Sequence, residues 1–278
     1  MTSKRRPEHQ APPEIFYNEE EAMKYTTNSR MIEIQSEMSE RAIELLNLPE
    51  GTPCLILDVG CGSGLSGECL TEHGHEWFGM DISAAMLNVA REREIDGDVV
   101  LADAGQGVSF RPGTFDGVIS ISALQWLCNA DKKYHKPQKR LYTFFSTLYA
   151  SMKNGSRAVF QIYPENPQQL ELITTQSVRA GFGGGVVVDY PNSTKAKKIF
   201  LCLFCGNQTP TLPQGLGTGE SSQHVKYTQE RSQNSFHKRQ SIKKSRDWIA
   251  EKKERRKRQG KSVRPNTKYT GRKRKTHF

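Results

Sequence analysis

Leu55-Ile56-Leu57-Asp58-Val59-Gly60-Cys61-Gly62-Ser63-Gly64-Leu65-Ser66-Gly67 decides how the rest of the chain is read. Leu55, Ile56 and Leu57 form a short apolar run, the mark of a strand buried on both faces. Asp58 ends the run, glycines follow at 60, 62 and 64, and a helical pattern opens near Leu65. The segment is strand, glycine turn, helix. Glycine permits unusual backbone angles and lets a ligand lie against bare main chain. The start of the helix adds unpaired N–H groups.

Gly62, Gly64 and Gly67 also satisfy G-x-G-x-x-G, the dinucleotide fingerprint. In such a site a pyrophosphate rests at the turn, and Asp58 at the strand tip would repel it. A carboxylate there suits a cation. S-adenosylmethionine carries an amino group and a sulfonium and no phosphate. The D-x-G-x-G-x-G pattern over Asp58–Gly64 resembles motif I of the Rossmann-like, class I methyltransferases; a nucleotide redox fold is the competing reading.

The 278 residues allow one good-sized core plus extensions. A hydrophobic content of 35% is low for a wholly globular chain. Through Glu220 there are 20 Lys and Arg against 26 Asp and Glu, a balance of −6. From Ser221 onward the counts are 20 and 4, a balance of +16. An acidic body with a strongly basic tail points to nucleic acid. The six cysteines have no framework spacing, and Cys202-x-x-Cys205 stands alone inside a strand pattern, so buried thiols are expected and no metal. No secretory leader and no apolar run of membrane length is visible, which fits a reducing intracellular setting.

Taken in order, residues 1–18 read as a flexible arm and 19–205 as one domain. Residues 206–235 read as a low-complexity linker and 236–278 as a basic tail, with a helix near Trp248. Within the domain, helical patterns alternate with strands, and Asn28-Ser29-Arg30 divides the first helical stretch. Alternation implies a mainly parallel sheet with helices on both faces. The last two strands lack a helix between them and are expected to be antiparallel. The methyltransferase resemblance implies seven strands with the last reversed.

Asp58, Asp81 and Asp103 close three successive strand patterns, which places them along one sheet edge, where ligands bind. Asp81 suits both hydroxyls of a ribose, Ile82 the adenine ring, Asp103 the adenine amino group, and the Ala104 N–H a ring nitrogen. Gly60, Gly62 and Gly64 line the same site. Tyr25 and Arg30 are placed to close over the cofactor, Arg30 toward its carboxylate. On the acceptor side, Gln125 can hydrogen-bond a base edge, Trp126 can stack on one or belong to the core, and Tyr163 is a second wall candidate. No Pro-Cys follows the fourth strand and no N-P-P-Y tetrad is present. A ring nitrogen such as guanine N7 needs neither a base nor a nucleophilic cysteine, so this wall fits an N7 acceptor.

Longer motifs sharpen the resemblance: P-E-I-F-Y (13–17), K-Y-T-T-N-S-R-M (24–31), S-A-L-Q-W-L-C-N-A (122–130), Y-P-E-N (163–166), V-D-Y-P-N-S-x-K-A-K-K (188–198) and Y-T-G-R-K-R-K (269–275). With the glycine turn, they resemble the eukaryotic small-subunit (18S) rRNA guanine-N7 methyltransferase family nearly end to end. That resemblance implies transfer to N7 of one guanine within nuclear pre-ribosomes. It also implies a small zinc-binding activator subunit that adds a strand at the sheet edge near Asp98–Leu101, and no membrane. The basic runs at 252–258 and 272–275 fit nuclear import or phosphate contacts. The alternatives are a pre-ribosome assembly factor whose catalysis is dispensable, and a methyltransferase with another substrate.

Overall fold

The computed structural model describes residues 6–206, 211–217, 249–250, 253, 263–267 and 270. The chain divides into Met1–Glu220 and Ser221–Phe278, and the folded body lies in the first unit. Its parallel strands are β1 (Leu55–Val59), β2 (Glu76–Asp81), β3 (Asp98–Leu101), β4 (Phe115–Ile121) and β5 (Met152–Ile162). β6 (Gly183–Asp189) and β7 (Lys198–Phe204) complete a sheet of order β3-β2-β1-β4-β5-β7-β6. β7 runs antiparallel to both β5 and β6, so it is the one reversed strand.

The helices are α1 (Pro13–Phe16), α2 (Glu19–Thr27), α3 (Ser29–Leu46), α4 (Leu65–Glu72), α5 (Ala84–Glu92), α6 (Pro137–Ser151) and α7 (Pro167–Arg179). The break foreseen at Asn28 is real: Asn28 ends α2 and caps α3, its side-chain oxygen accepting the N–H groups of Arg30 and Met31. Gln35, Met38, Ala42, Leu45 and Leu46 recur at helical spacing and are buried against the sheet. Successive residues of β1 serve opposite faces. Ile56 packs with Met38, Ala42, Leu46 and Ile119, and Leu57 with Phe144, Phe145, Leu148 and Phe160. Both clusters are fully buried, with each large side chain contributing roughly 1.5–3 kcal/mol.

Two expected boundaries move. Residues 7–17 are folded, not a loose arm: Arg6 Nη1 donates to the Tyr163 carbonyl at 2.9 Å, and Ser83 Oγ donates to the Tyr17 carbonyl at 2.8 Å. The stretch read as linker also docks in part. The Leu216 carbonyl accepts the Tyr190 N–H at 2.7 Å, and Asp189 accepts the Leu216 N–H at 2.8 Å. Arg41 joins this lock by ion-pairing with buried Asp189 and donating to the Gln214 carbonyl. The remaining linker, Trp248 and almost all of both basic runs lie outside the described residues.

Candidate active site

The carboxyl ends of β1, β2 and β4 meet at a cavity of ≈ 1150 Å³, counting the space at its open mouth. Gly60, Gly62 and Gly64 turn the chain there with φ of 75°, 52° and 80°. Gly60 is pinned: its N–H donates to the Met80 carbonyl at 2.8 Å, and a Cβ on it would lie 2.3 Å from that of Ala123. Gly67, the last glycine of the false dinucleotide fingerprint, has another task. A Cβ there would strike the Trp77 ring at 2.1 Å, so it serves helix-to-sheet packing.

Asp81 organises the turn. Its Oδ2 accepts the Gly62 N–H and its Oδ1 the Ser83 N–H, each at 2.8 Å. Burial pushes its carboxyl above the ordinary value, against the pull of the Ser83, Gly62 and Ile82 N–H groups. Asp81, Ile82, Ala104, Tyr25, Gly60 and Gly62 line the cavity, as read from the sequence, and Gly64 does not. Asp58 stands behind the wall. It is fully buried, Ser66 Oγ donates to its Oδ2 at 2.5 Å, and its Oδ1 has no protein partner. Burial raises its carboxyl to about 7; Ser66 opposes the rise and Asp81 adds to it.

Asp103 lines the cavity but is already engaged. Both of its oxygens accept Arg140 at 2.9 Å, Oδ1 also accepts the Gly105 N–H, and Gln106 lies at 3.5 Å from Oδ2. Burial pushes this carboxyl upward, but the Arg140 guanidinium and the Gly105 N–H outweigh it and hold it below the usual range. An ionised carboxylate offers about four acceptor positions, so an adenine amino group meets only the one that Gln106 holds weakly.

Trp126 is buried against Phe16 and Tyr17, with centroids at 6.1 and 5.9 Å, and it also lines the cavity. Five residues read as site members, Asp58, Gly64, Gln125, Tyr163 and Arg30, are not brought to the lining. Gln125 is buried beside it, donating to the Ser122 carbonyl at 2.8 Å, with its Oε1 lacking a protein partner. The Tyr163 hydroxyl is taken by Met38 Sδ and Lys198 Nζ. Arg30 is exposed on the first turn of α3. At 100° per residue it sits about 140° around the helix from Gln35, and Gln35 is the α3 residue that lines the cavity.

Sequence reasoning missed Tyr17, Gln35, Ser63, Asp131, His135 and Arg140, which also line the cavity. Ser63 Oγ and His135 Nδ1 are buried without protein partners. Ser122 follows β4 with φ of 58°, strain of the kind that clusters at functional sites, and it too lines the cavity. Among the described residues, no three His, Cys, Asp or Glu side chains are grouped to hold a metal ion.

These features fit a cationic nucleoside. Asp81 can take a ribose, Ile82 and Ala104 flank a flat ring, and the bare turn leaves room for main-chain approach. Ser63 Oγ adds an unpartnered polar group to the lining, and Asp58 Oδ1 lies unpartnered behind it.

Residues 56–142 match a family model described as a methyltransferase domain, and 203–276 one described as a methyltransferase involved in Williams-Beuren syndrome. The chain is 61% identical over 277 residues to the 18S rRNA (guanine-N(7))-methyltransferase of Mus musculus, covering 99% of this chain and 98% of that one. It is 48% identical to the 18S rRNA (guanine(1575)-N(7))-methyltransferase of Saccharomyces cerevisiae, covering 98% and 99%. In fold it resembles a Haemonchus contortus phosphoethanolamine N-methyltransferase solved with S-adenosylhomocysteine, at TM-score 0.53 and 18% identity, covering 69% of this chain and 58% of that one. A mixed seven-stranded sheet, a cavity shaped for a cationic nucleoside and near end-to-end identity converge: the chain belongs to the 18S rRNA (guanine-N7)-methyltransferase family.

Proposed function

We propose that the chain transfers a methyl group from S-adenosylmethionine to N7 of a guanine in small-subunit rRNA. The identity of 48% and 61% to named 18S rRNA (guanine-N7)-methyltransferases, over almost the whole chain, carries this reading. When bound, the cofactor supplies an electrophilic methyl on a sulfonium. Asp81 holds the ribose end and, through Gly62 and Ser83, the shape of the turn. A cation near Asp58 favours loss of the proton that burial holds on it near neutrality.

On the acceptor side the lining residues Ser122, Ala123, Leu124, Trp126 and Leu127 offer hydroxyl, indole and apolar groups, and no carboxylate, imidazole or thiol. Guanine N7 presents a lone pair in the plane of the ring, so no proton leaves during attack. Catalysis then rests on alignment, with Trp126 a flat surface for the base. Methylation leaves the base cationic. The acidic side chains of the lining, Asp81, Asp103, Asp131 and Glu14, suit that charge.

The test is chemical cleavage at N7-methylguanosine in small-subunit rRNA, comparing cells carrying the wild-type chain with cells carrying Asp81→Ala. One cleavage position should disappear in the variant. An unchanged pattern, with the variant shown not to hold cofactor, would overturn the assignment.

The family's small zinc-binding activator is assigned to β3. That strand ends the sheet, and Val100 and Leu101 are 38% and 56% exposed on it. An open strand edge is a template for strand addition. Val100→Asp/Leu101→Asp should reduce co-purification of the activator at least ten-fold, while the isolated variant keeps the wild-type circular dichroism spectrum. Undiminished co-purification would move the partner elsewhere. The basic runs beyond residue 251 are assigned to nuclear import and RNA. No described helix is long and apolar enough to cross a membrane.

A further inference from the structure

The chain between the acceptor wall and α6 reads Asp131-Lys132-Lys133-Tyr134-His135-Lys136-Pro137-Gln138-Lys139-Arg140. Its side chains divide by direction. Asp131, His135 and Arg140 line the cavity, whereas Lys132, Lys133, Tyr134, Lys136 and Lys139 are exposed. Tyr134 is 74% exposed, with its ring edge-to-face on His135 at 4.9 Å. His135 Nε2 lies 3.1 Å from Arg140, which clamps Asp103. The exposed side chains are thus fixed at the cavity rim by the residues that turn inward.

This cluster runs against its surroundings. Four lysines fall within eight residues of a body whose balance through Glu220 is −6. Lys132 reaches Glu14 at 3.6 Å, but Lys133, Lys136 and Lys139 form no ion pair among the described residues. The first turn of α6 holds no acidic residue, Lys136 is its cap, and Lys139 and Arg140 follow. Positive side chains beside the positive end of a helix lower its stability. The arrangement is unfavourable alone and favourable with a polyanion in place.

We propose that this rim grips the RNA strand flanking the target guanine. Lys133, Lys136 and Lys139 contact consecutive phosphates, and Tyr134 stacks on a base next to the one that enters the cavity. Aromatic side chains interleaved with cations are how single-stranded RNA is held without sequence readout. The rim's role differs from that of the +16 tail. The tail raises affinity for RNA in general, whereas the rim, fixed to the cavity, sets which nucleotide enters. The proposal rests on the N7-methyltransferase reading above.

The test uses the full chain purified from eukaryotic cells, radiolabelled S-adenosylmethionine, and pre-ribosomal small-subunit particles from cells lacking the chain. The variants are Lys133→Gln/Lys136→Gln/Lys139→Gln, Tyr134→Ala and Tyr134→Phe. The triple variant should raise KM for the particles at least ten-fold and flatten the dependence of log kcat/KM on log salt by about 2, at ~0.7 per phosphate lost. Tyr134→Ala should raise KM about five-fold or more, and Tyr134→Phe should restore it. Cofactor affinity, measured by calorimetry, should stay within two-fold in every variant, which separates loss of grip from loss of fold. Wild-type KM and salt slope in the triple variant would overturn the proposal. So would normal methylation with loss of a protein contact in the particle. Failure of the wild-type chain to methylate the particles would instead overturn the reading on which the rim depends.

Discussion

Asp81→Ala is expected to weaken S-adenosylmethionine binding at least 100-fold in calorimetry, while the protein still unfolds cooperatively. The side chain accepts the Gly62 and Ser83 N–H groups at 2.8 Å and faces the cavity. Hydrogen bonds to a charged group contribute about 1.5–3 kcal/mol each, and 100-fold corresponds to about 2.7 kcal/mol. Loss of either the turn geometry or the ribose contact is enough to reach it. Asp81→Asn keeps one acceptor oxygen and should fall between wild type and alanine. If Asp81→Ala bound within three-fold of wild type, the turn would not depend on this carboxylate and the cofactor would not rest on it.

Gly60→Ala should cost about 2–5 kcal/mol of stability. Two costs add. A residue with a side chain at φ of 75° meets about 1–2 kcal/mol of steric strain, and a Cβ placed 2.3 Å from that of Ala123 adds about 1–3 kcal/mol of overpacking. At about 2–4 °C per kcal/mol for a domain of this size, thermal unfolding should fall by roughly 4–20 °C. The double variant Gly60→Ala/Ala123→Gly separates the two. It relieves the clash but not the backbone strain, so it should recover part of the loss. Full recovery would show that the backbone at 60 carries no strain. No recovery would show that Ala123 is not the obstacle.

The β1 stretch and the strand-end carboxylates were legible because their signals are local. An apolar run and a glycine turn each act over a few residues, and β1 and α4 form where those signals stand. What stayed hidden depends on partners distant in sequence. Residues 7–17 look like a charged, proline-containing arm until Arg6 meets Tyr163 and Phe16 meets Trp126. Asp103 lines the cavity, but its bond to Arg140, 37 residues on, carries no mark in either local segment. Arg30 was the reverse case: its chemistry suited a carboxylate, and the turn of α3 faces it to solvent. Tyr163 follows β5, yet its hydroxyl is drawn to Met38 and Lys198.

The position of β7 between β5 and β6 has a consequence for how the chain is made. On the ribosome, every strand that builds the cavity emerges before any strand of the β5-β7-β6 end is complete. β6 emerges next and finds no partner, because the strand it pairs with is still unsynthesised. About 42 residues separate the end of β5 from the end of β7. At roughly 5–20 residues per second, that leaves the edge of β5 bare for about 2–8 seconds. During that interval Val159 and Phe160, fully buried in the finished sheet, lie on an open strand whose hydrogen-bonding groups can recruit another nascent chain. Insertion of the last strand covers the β5 edge, so the step that completes the sheet also ends that hazard.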